Sequence, residues 1–382
     1  MTKQDKIRIG ILFGGKSGEH EVSFCSASSI IEAIDREKYE IIPIGITKDG
    51  CWLSSQESII ALRTGKIEGK SRVAWKSGSG NHQLIVINKE MGNINYSTIK
   101  KLDVIFPVLH GPFGEDGTVQ GLLELINIPY VGAGVSTSSL AMDKDLMKKM
   151  FQQSNLPQTK WITIKRREWS SKKNKILNKI NNELTYPLFV KPTNLGSSVG
   201  INKVENALKL EEAINIAALY DRKIIIEEGI EDAIEVECSV LGNDKPNTSV
   251  IGEVVPAGEY YDYQSKYIDK STRLIIPARV PDNITKDVQK IAKKAFLSID
   301  GSGLARVDFF VQKIDNTYKI FLNEINTMPG FTRFSMYPKL WEKSGIGFSK
   351  LIDRLIELAF ERFQDKILNR TDYPSILLEK KF

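Results

Sequence analysis

The sequence predicts a parallel α/β domain at the N-terminus followed by α+β structure that begins a second, smaller domain. Three observations predict it. Apolar runs at 7–13 and 102–109 each end in a glycine-rich crest and pass into a helical pattern, as strand–turn–helix units of an α/β sheet do. A strand lysine, Lys191, is followed at once by a small-residue loop, 194–200. Residues 306–326 alternate as two strands about an Asp315-Asn316-Thr317 turn.

The first run, IRIGILF, leads through Gly14-Gly15-Lys16-Ser17-Gly18 into a helix to about Ala33, and 39–46 is a second strand. The turn lacks GxGxxG spacing, so a dinucleotide site is not indicated. Glu19 stands in that turn, placed either to hold a cationic group or to complement the helix macrodipole. Residues 50–101 read as polar and irregular, with weak strand signals at 84–87. The strand 102–109 ends at His110 and the crest GPFGEDG, followed by a helix at 118–126 and a short strand at 129–131. Residues 137–154 read as one helix, stopped by Asn155-Leu156-Pro157, and 161–165 as a strand. Strand 188–192 carries Lys191 into Asn194-Leu195-Gly196-Ser197-Ser198-Val199-Gly200. Backbone N–H groups, hydroxyls and a lysine suit a phosphate cradle, although no GK[ST] of a Walker loop is present. An ordinary hairpin turn fits the same residues. Strand 223–228 exits through Glu227, Glu228 and Gly229, a candidate hinge, and 235–240 resumes the sheet. The tyrosine-rich stretch 258–267 reads as a long functional loop. Helices at 284–299 and 348–363 carry apolar stripes.

In the 306–326 hairpin, the turn places Asp308 opposite Glu324 and Arg306 opposite Asn326, all on one face. Val307, Phe309, Phe321 and Ile325 are then left for the core. Two carboxylates and an amide beside a guanidinium suit a hard divalent ion such as Mg²⁺ that also takes phosphate oxygens. A surface hairpin with an Arg–Glu pair is the plainer reading.

At 382 residues, two or three domains are expected, and 41% hydrophobic with 26% charged residues is a globular composition. A net charge of +6 without a dense basic stripe fits small anionic ligands and argues against nucleic acid. No signal peptide or membrane-length apolar run is visible. Cys25, Cys51 and Cys238 have no CxxC spacing, so reduced thiols in a cytoplasmic protein are expected.

GGKSGEHEVS, HGPFGEDG, MDK, VKPTNLGSSVG, YYDYQSKY, RVDFF and NEINTMPGF occur in this order. Together they resemble the D-alanine–D-alanine ligases of the ATP-grasp superfamily, over roughly residues 7–360. The resemblance implies an N-terminal α/β substrate-binding domain (1–135), a small ATP-grasp lobe with the glycine–serine loop (136–229) and a C-terminal lobe with the metal site and substrate loop (230–382). It implies ATP, two Mg²⁺ ions for which Mn²⁺ substitutes, and D-alanine as substrate. The reaction would run through an acylphosphate and supply peptidoglycan precursors, with no membrane partner. A homodimer is compatible with it.

The resemblance also implies residue roles. Lys144 and Lys191 would hold nucleotide phosphates under the lid that contains Gly196, Ser197 and Ser198. Glu227, Glu228 and Ile230 would read adenine, and Glu235 the ribose. Asp308, Glu324 and Asn326 would bind the metals. Glu19 would anchor the first substrate's ammonium, with His110 near its carboxylate. Arg306 and the Gly330 backbone would stabilise the oxyanion. Lys266 and Ser335 would grip the second substrate, and Glu19, Ser197 and Tyr267 would form a hydrogen-bonded trio that shuts the loop. No role attaches to Arg333. The alternatives are a D-alanine–D-serine or D-alanine–D-lactate ligase, the latter disfavoured by Tyr267, and a non-catalytic nucleotide-binding module, disfavoured because every phosphate lysine and metal ligand is present.

Overall fold

The structure, a computed structural model, describes residues 5–67, 72–75, 84–90, 93–98, 101–255 and 273–370. The tyrosine-rich loop, with Lys266 and Tyr267, lies outside the described residues.

The N-terminal sheet is parallel. β1 (Ile7–Gly14) lies between β2 (Tyr39–Ile46) and β6 (Val104–Val108), with helix α1 (His20–Ala33) crossing from β1 to β2. The strands are nearly continuous apolar runs because both faces are covered. On one face Ile9, Ile11 and Phe13 pack with Ile30 of α1 and with Leu351, Ile352 and Leu355 of the C-terminal helix. On the other, Leu12, Ile42 and Ile44 meet Leu123 and Ile128. The expected strand at 129–131 is only a single bridge, Ile105 to Tyr130.

The stretch 47–101 is more ordered than its composition suggests. It holds α2 (Ser55–Thr64) and an antiparallel meander of β3 (Arg72–Trp75), β4 (Leu84–Glu90) and β5 (Asn93–Thr98). Ser54 is the N-cap of α2, its Oγ accepting from Glu57 N–H, and left-handed Gly65 ends the helix.

Residues 137–154 form two helices rather than one, α4 (Val135–Met142) and α5 (Lys144–Gln153), after α3 (Thr118–Leu125). The break is at Asp143, which is extended and whose carboxylate accepts from the N–H groups of Asp145 and Leu146 at 3.1 Å each. An N-cap inside an apolar pattern ends one helix and starts the next.

The middle sheet is antiparallel, in the order β7 (Trp161–Lys165), β10 (Lys223–Glu228), β8 (Leu188–Pro192), β9 (Asn202–Val204). Helices α6 (Arg166–Glu183) and α7 (Leu210–Tyr220) cover one face over Val190, Ile224 and Ile226. Phe189, Lys191 and Glu227 alternate onto the other face. The basic residues between 166 and 175 lie on α6.

The last sheet runs β13 (Arg273–Ile275), β12 (Asn247–Val255), β11 (Ala233–Gly242), β14 (Gly303–Ile314), β15 (Thr317–Asn326). Residues 235–240 thus belong to a different sheet from 223–228, and the turn 229–232 is a true crossing. One face is closed by α5 and α8 (Asp282–Ser298) over Val236, Val307 and Phe309. The short helix α9 (Met336–Lys343) precedes α10 (Phe348–Lys366), whose return to the first sheet joins the chain's two ends.

The hairpin register pairs Asp308 with Glu324 and Arg306 with Asn326, as expected, but a shift follows Asp308 so that Phe309 pairs with Leu322. Leu322, not Phe321, is the core residue. A bulge flips the residues beyond it to the opposite face.

At the first crest Gly14 has φ +89°, and a Cβ there would lie 2.3 Å from the Ile46 carbonyl oxygen. Gly14→Ala should therefore lower the melting temperature, with a cost of about 1–3 kcal/mol. An unchanged melting curve would show that the β1–α1 turn can relax.

Candidate active site

Two cavities meet between the sheets. The first, about 540 Å³, lies between the middle and last sheets. It is lined by Lys144, Lys191, Gly196, Ser197, Ser198, Glu227, Glu228, Ile230, Glu235, Arg306, Asp308 and Glu324. The second, about 510 Å³, runs toward the N-terminal crests and is lined by Glu19, His110, Asn326, Gly330 and Ser335. Lys144, Gly196, Ser197, Glu237, Arg306 and Glu324 line both. Every site residue expected from sequence that falls among the described residues is in one cavity or the other.

The floor where they join is a row of acids on three adjacent strands. Glu237 pairs in register with Asp308, and Asp308 with Glu324. Arg306 grips Asp308 with two bonds of 2.7 Å and reaches Glu237 at 2.9 Å. Burial opposes the guanidinium charge, but Asp308 and Glu237 overcome it and keep it protonated. Asn326 Nδ2 donates to Asp308 at 3.1 Å, and Lys144 Nζ lies 3.4 Å from Glu324 and donates to the Leu195 carbonyl. Glu237 escaped the sequence reading. Its signal was the strand period: it stands two residues after Glu235, on the same face.

The glycine–serine loop joins antiparallel strands β8 and β9, so it is both a hairpin connection and a cover. Ser197 and Ser198 have positive φ there. Asp221 holds its base, accepting from Thr193 Oγ1 at 2.7 Å and from the Asn194 backbone and side chain at 3.0 and 2.9 Å. At its tip Ser197 Oγ donates to Glu19 Oε1. A Cβ at Gly111 would sit 2.8 Å from Glu19 Oε2, and one at Gly196 would sit 3.2 Å away. Two glycines thus make room for the Glu19 carboxylate, which makes no side-chain capping bond to α1.

His110 is buried. Nδ1 lies 3.0 Å from the Met328 carbonyl oxygen, so Nδ1 donates, while Nε2 meets Ser26 Oγ at 3.1 Å. Burial disfavours its protonated form, yet Glu115, Glu19 and the Met328 carbonyl outweigh burial and raise its pKa. Glu115, itself raised by burial, accepts from Gly111 N–H at 2.9 Å. The imidazole therefore clamps the second crest to the 328–331 turn at the edge of the cavity.

Beneath the hinge, Glu227 meets Lys148 at 2.9 Å and Lys191 at 3.1 Å. Glu228 instead accepts from Thr185 N–H at 2.9 Å. Lys148, four residues after Lys144 in a helix rich in lysine, gives no sequence sign of its burial. Arg333 is exposed and Ser335 Oγ accepts from Thr332 N–H at 3.1 Å.

Burial alone would raise the Glu227 carboxyl, but Lys148 and Lys191 hold it at about 2, below its ordinary 4.5. As pH falls the unfolded chain takes up this proton first. The stability from the cluster is complete above about 4.5 and is lost as pH falls toward about 2. The unfolding free-energy gap between wild type and Glu227→Gln should shrink across that window, as followed by denaturant titration. A gap independent of pH would contradict the ion-pair geometry.

Comparison with known proteins matches residues 8–133 to the family model for the D-ala D-ala ligase N-terminus and 150–357 to that for the D-ala D-ala ligase C-terminus. The D-alanine–D-alanine ligase of Natranaerobius thermophilus is 48% identical over 369 residues, 96% of this chain and 99% of that protein. That of Geobacillus thermodenitrificans is 47% identical over 363 residues, 94% and 97% of the two chains. Among solved structures, the D-alanine-D-alanine ligase from Coxiella burnetii superposes with TM-score 0.79 at 35% identity, covering 96% of this chain and 97% of that one. The VanG D-Ala:D-Ser ligase from Enterococcus faecalis superposes with TM-score 0.80 at 36% identity, covering 93% and 100%. With both family models matched and near-complete coverage at almost half identity, this chain belongs to the D-alanine–D-alanine ligase family.

Proposed function

We propose that the protein joins two D-alanines to D-alanyl-D-alanine while converting ATP to ADP and phosphate. The observation that carries this reading is that the two cavities share Arg306, Glu324, Lys144 and the tip of the loop. A triphosphate entering one and a carboxylate entering the other would meet there.

Glu19 would hold the ammonium of the first D-alanine and direct its carboxylate to the shared floor. That carboxylate oxygen attacks the γ-phosphorus, the bond to the β-phosphate oxygen breaks, and ADP leaves. Lys144 and Lys191 would offset the phosphate charge and the 196–198 backbone would cover it. The amine of the second D-alanine, gripped by Ser335 and Lys266, attacks the acylphosphate carbonyl carbon. Arg306 and the Gly330 N–H would stabilise the oxyanion until phosphate departs. Glu227, Glu228, Ile230 and Glu235 would seat the nucleoside at the hinge. The dipeptide serves peptidoglycan synthesis, and its demand for ATP puts the reaction in the cytoplasm.

The donor set Asp308, Glu324 and Asn326 fits a hard divalent ion. Its atoms are carboxylate and amide oxygens on neighbouring strands, too few for an all-protein cage and enough for an ion completed by phosphate oxygens. Among the described residues no group of three His, Cys, Asp or Glu forms such a cage. Two Mg²⁺ ions, or Mn²⁺, would supply charge neutralisation across the transferred phosphate.

The test is release of ADP, phosphate and dipeptide from ATP, Mg²⁺ and D-alanine, with L-alanine, D-serine and D-lactate as alternative substrates. D-alanyl-D-alanine should dominate; preferential use of D-serine or D-lactate as acceptor would reassign the second substrate. Glu324→Gln should lower turnover roughly 10²–10³-fold with an unchanged melting curve. Wild-type turnover in that variant would remove Glu324 from the metal site.

A further inference from the structure

Beneath the hinge lies a row of three charges whose inner member has no role in the reaction outlined above. Glu227 gives one carboxylate oxygen to Lys148 and the other to Lys191. The side chains of Lys148 and Glu227 are 1% and 5% exposed, that of Lys191 12%. Lys191 lines the nucleotide cavity and Lys148 does not. The Lys148 ammonium also sits over the Trp161 ring, 5.4 Å from its centroid, a second favourable contact for its charge.

The row reads plus, minus, plus. One lysine would be enough to neutralise Glu227, and burying a second cation costs solvation that a single shared carboxylate does not return. The row carries one more cation than anion, and it meets the cavity at Glu227 and at the Lys191 end. We propose that Lys148 is a positioning residue for nucleotide binding: it neutralises Glu227 from below and so frees the charge of Lys191 for a polyphosphate. The inference rests on the nucleotide reading of the cleft. Without Lys148, Glu227 and Lys191 close into a neutral pair in a poorly solvated site, where their attraction far exceeds its value in water. A phosphate must then compete with a whole carboxylate charge rather than with half of one.

ATP affinity measured by calorimetry on four full-length chains tests this: wild type, Lys148→Met, Glu227→Gln and the double variant. Lys148→Met should weaken ATP binding about tenfold or more when Glu227 is intact, and less than about threefold in the Glu227→Gln background. A lysine that merely fills space would cost the same in both, so equal losses overturn the proposal. Lys148→Gln keeps a hydrogen-bond donor and drops only the charge. It should also weaken ATP binding, and it carries the test if Lys148→Met does not fold. Wild-type affinity in Lys148→Gln overturns the proposal alone. A wild-type chain with no ATP affinity would remove the nucleotide reading and this inference with it.

Discussion

The hydrogen bond from Ser197 to Glu19 is the contact on which the enclosure of the site depends. It ties the tip of a loop on the middle sheet to the crest after the first strand of the N-terminal sheet. The partners are 178 residues apart in sequence, so only the folded arrangement brings them together. Everything around the bond serves it. Gly111 and Gly196 leave space for the carboxylate, and Asp221 anchors the base of the loop so that its tip can reach across. His110 fixes the second crest to the 328–331 turn at the edge of the second cavity. A loop pinned at base and tip covers the floor where phosphate and carboxylate would meet.

The floor follows a second rule, that the principal charges there face opposite charges before any ligand arrives. Arg306 lies between Asp308 and Glu237, Lys144 beside Glu324, and Lys191 against Glu227. Such pairing orients the groups in advance, so that little reorganisation is left for the reacting complex. It also keeps Arg306 and Glu227 charged where burial would otherwise oppose their charge. The fold supports this by giving each of the two facing sheets one helix-covered side and one charged side.

Much of this was legible in the sequence because strands have a period of two. The pairing of Asp308 with Glu324 followed from the position of one turn, and both crests from glycines after apolar runs. Phe321 was misplaced because the register shift beyond Asp308 leaves no mark in composition. The helix at 137–154 was read through Asp143, although an N-cap residue stood in view there. Of the meander at 72–98 only the strand signal at 84–87 is legible, because the short strands are diluted by polar residues. Glu237 was recoverable by counting two from Glu235. Lys148 was not, since burial of a helical lysine is decided by a hinge acid 79 positions away, and only the tertiary structure joins them.

On this reading, the loop held by the Ser197–Glu19 bond keeps water from the activated carboxylate until the second amine attacks. The most direct measurement is ADP released per dipeptide formed, in wild type and in Ser197→Ala. That substitution removes one hydrogen bond, worth about 1 kcal/mol net, and leaves the phosphate-facing backbone in place. The wild type should release one ADP per dipeptide and Ser197→Ala a clear excess of ADP, because a loosened loop admits water to the acylphosphate. A ratio that stays at the wild-type value, with turnover undiminished, would contradict it.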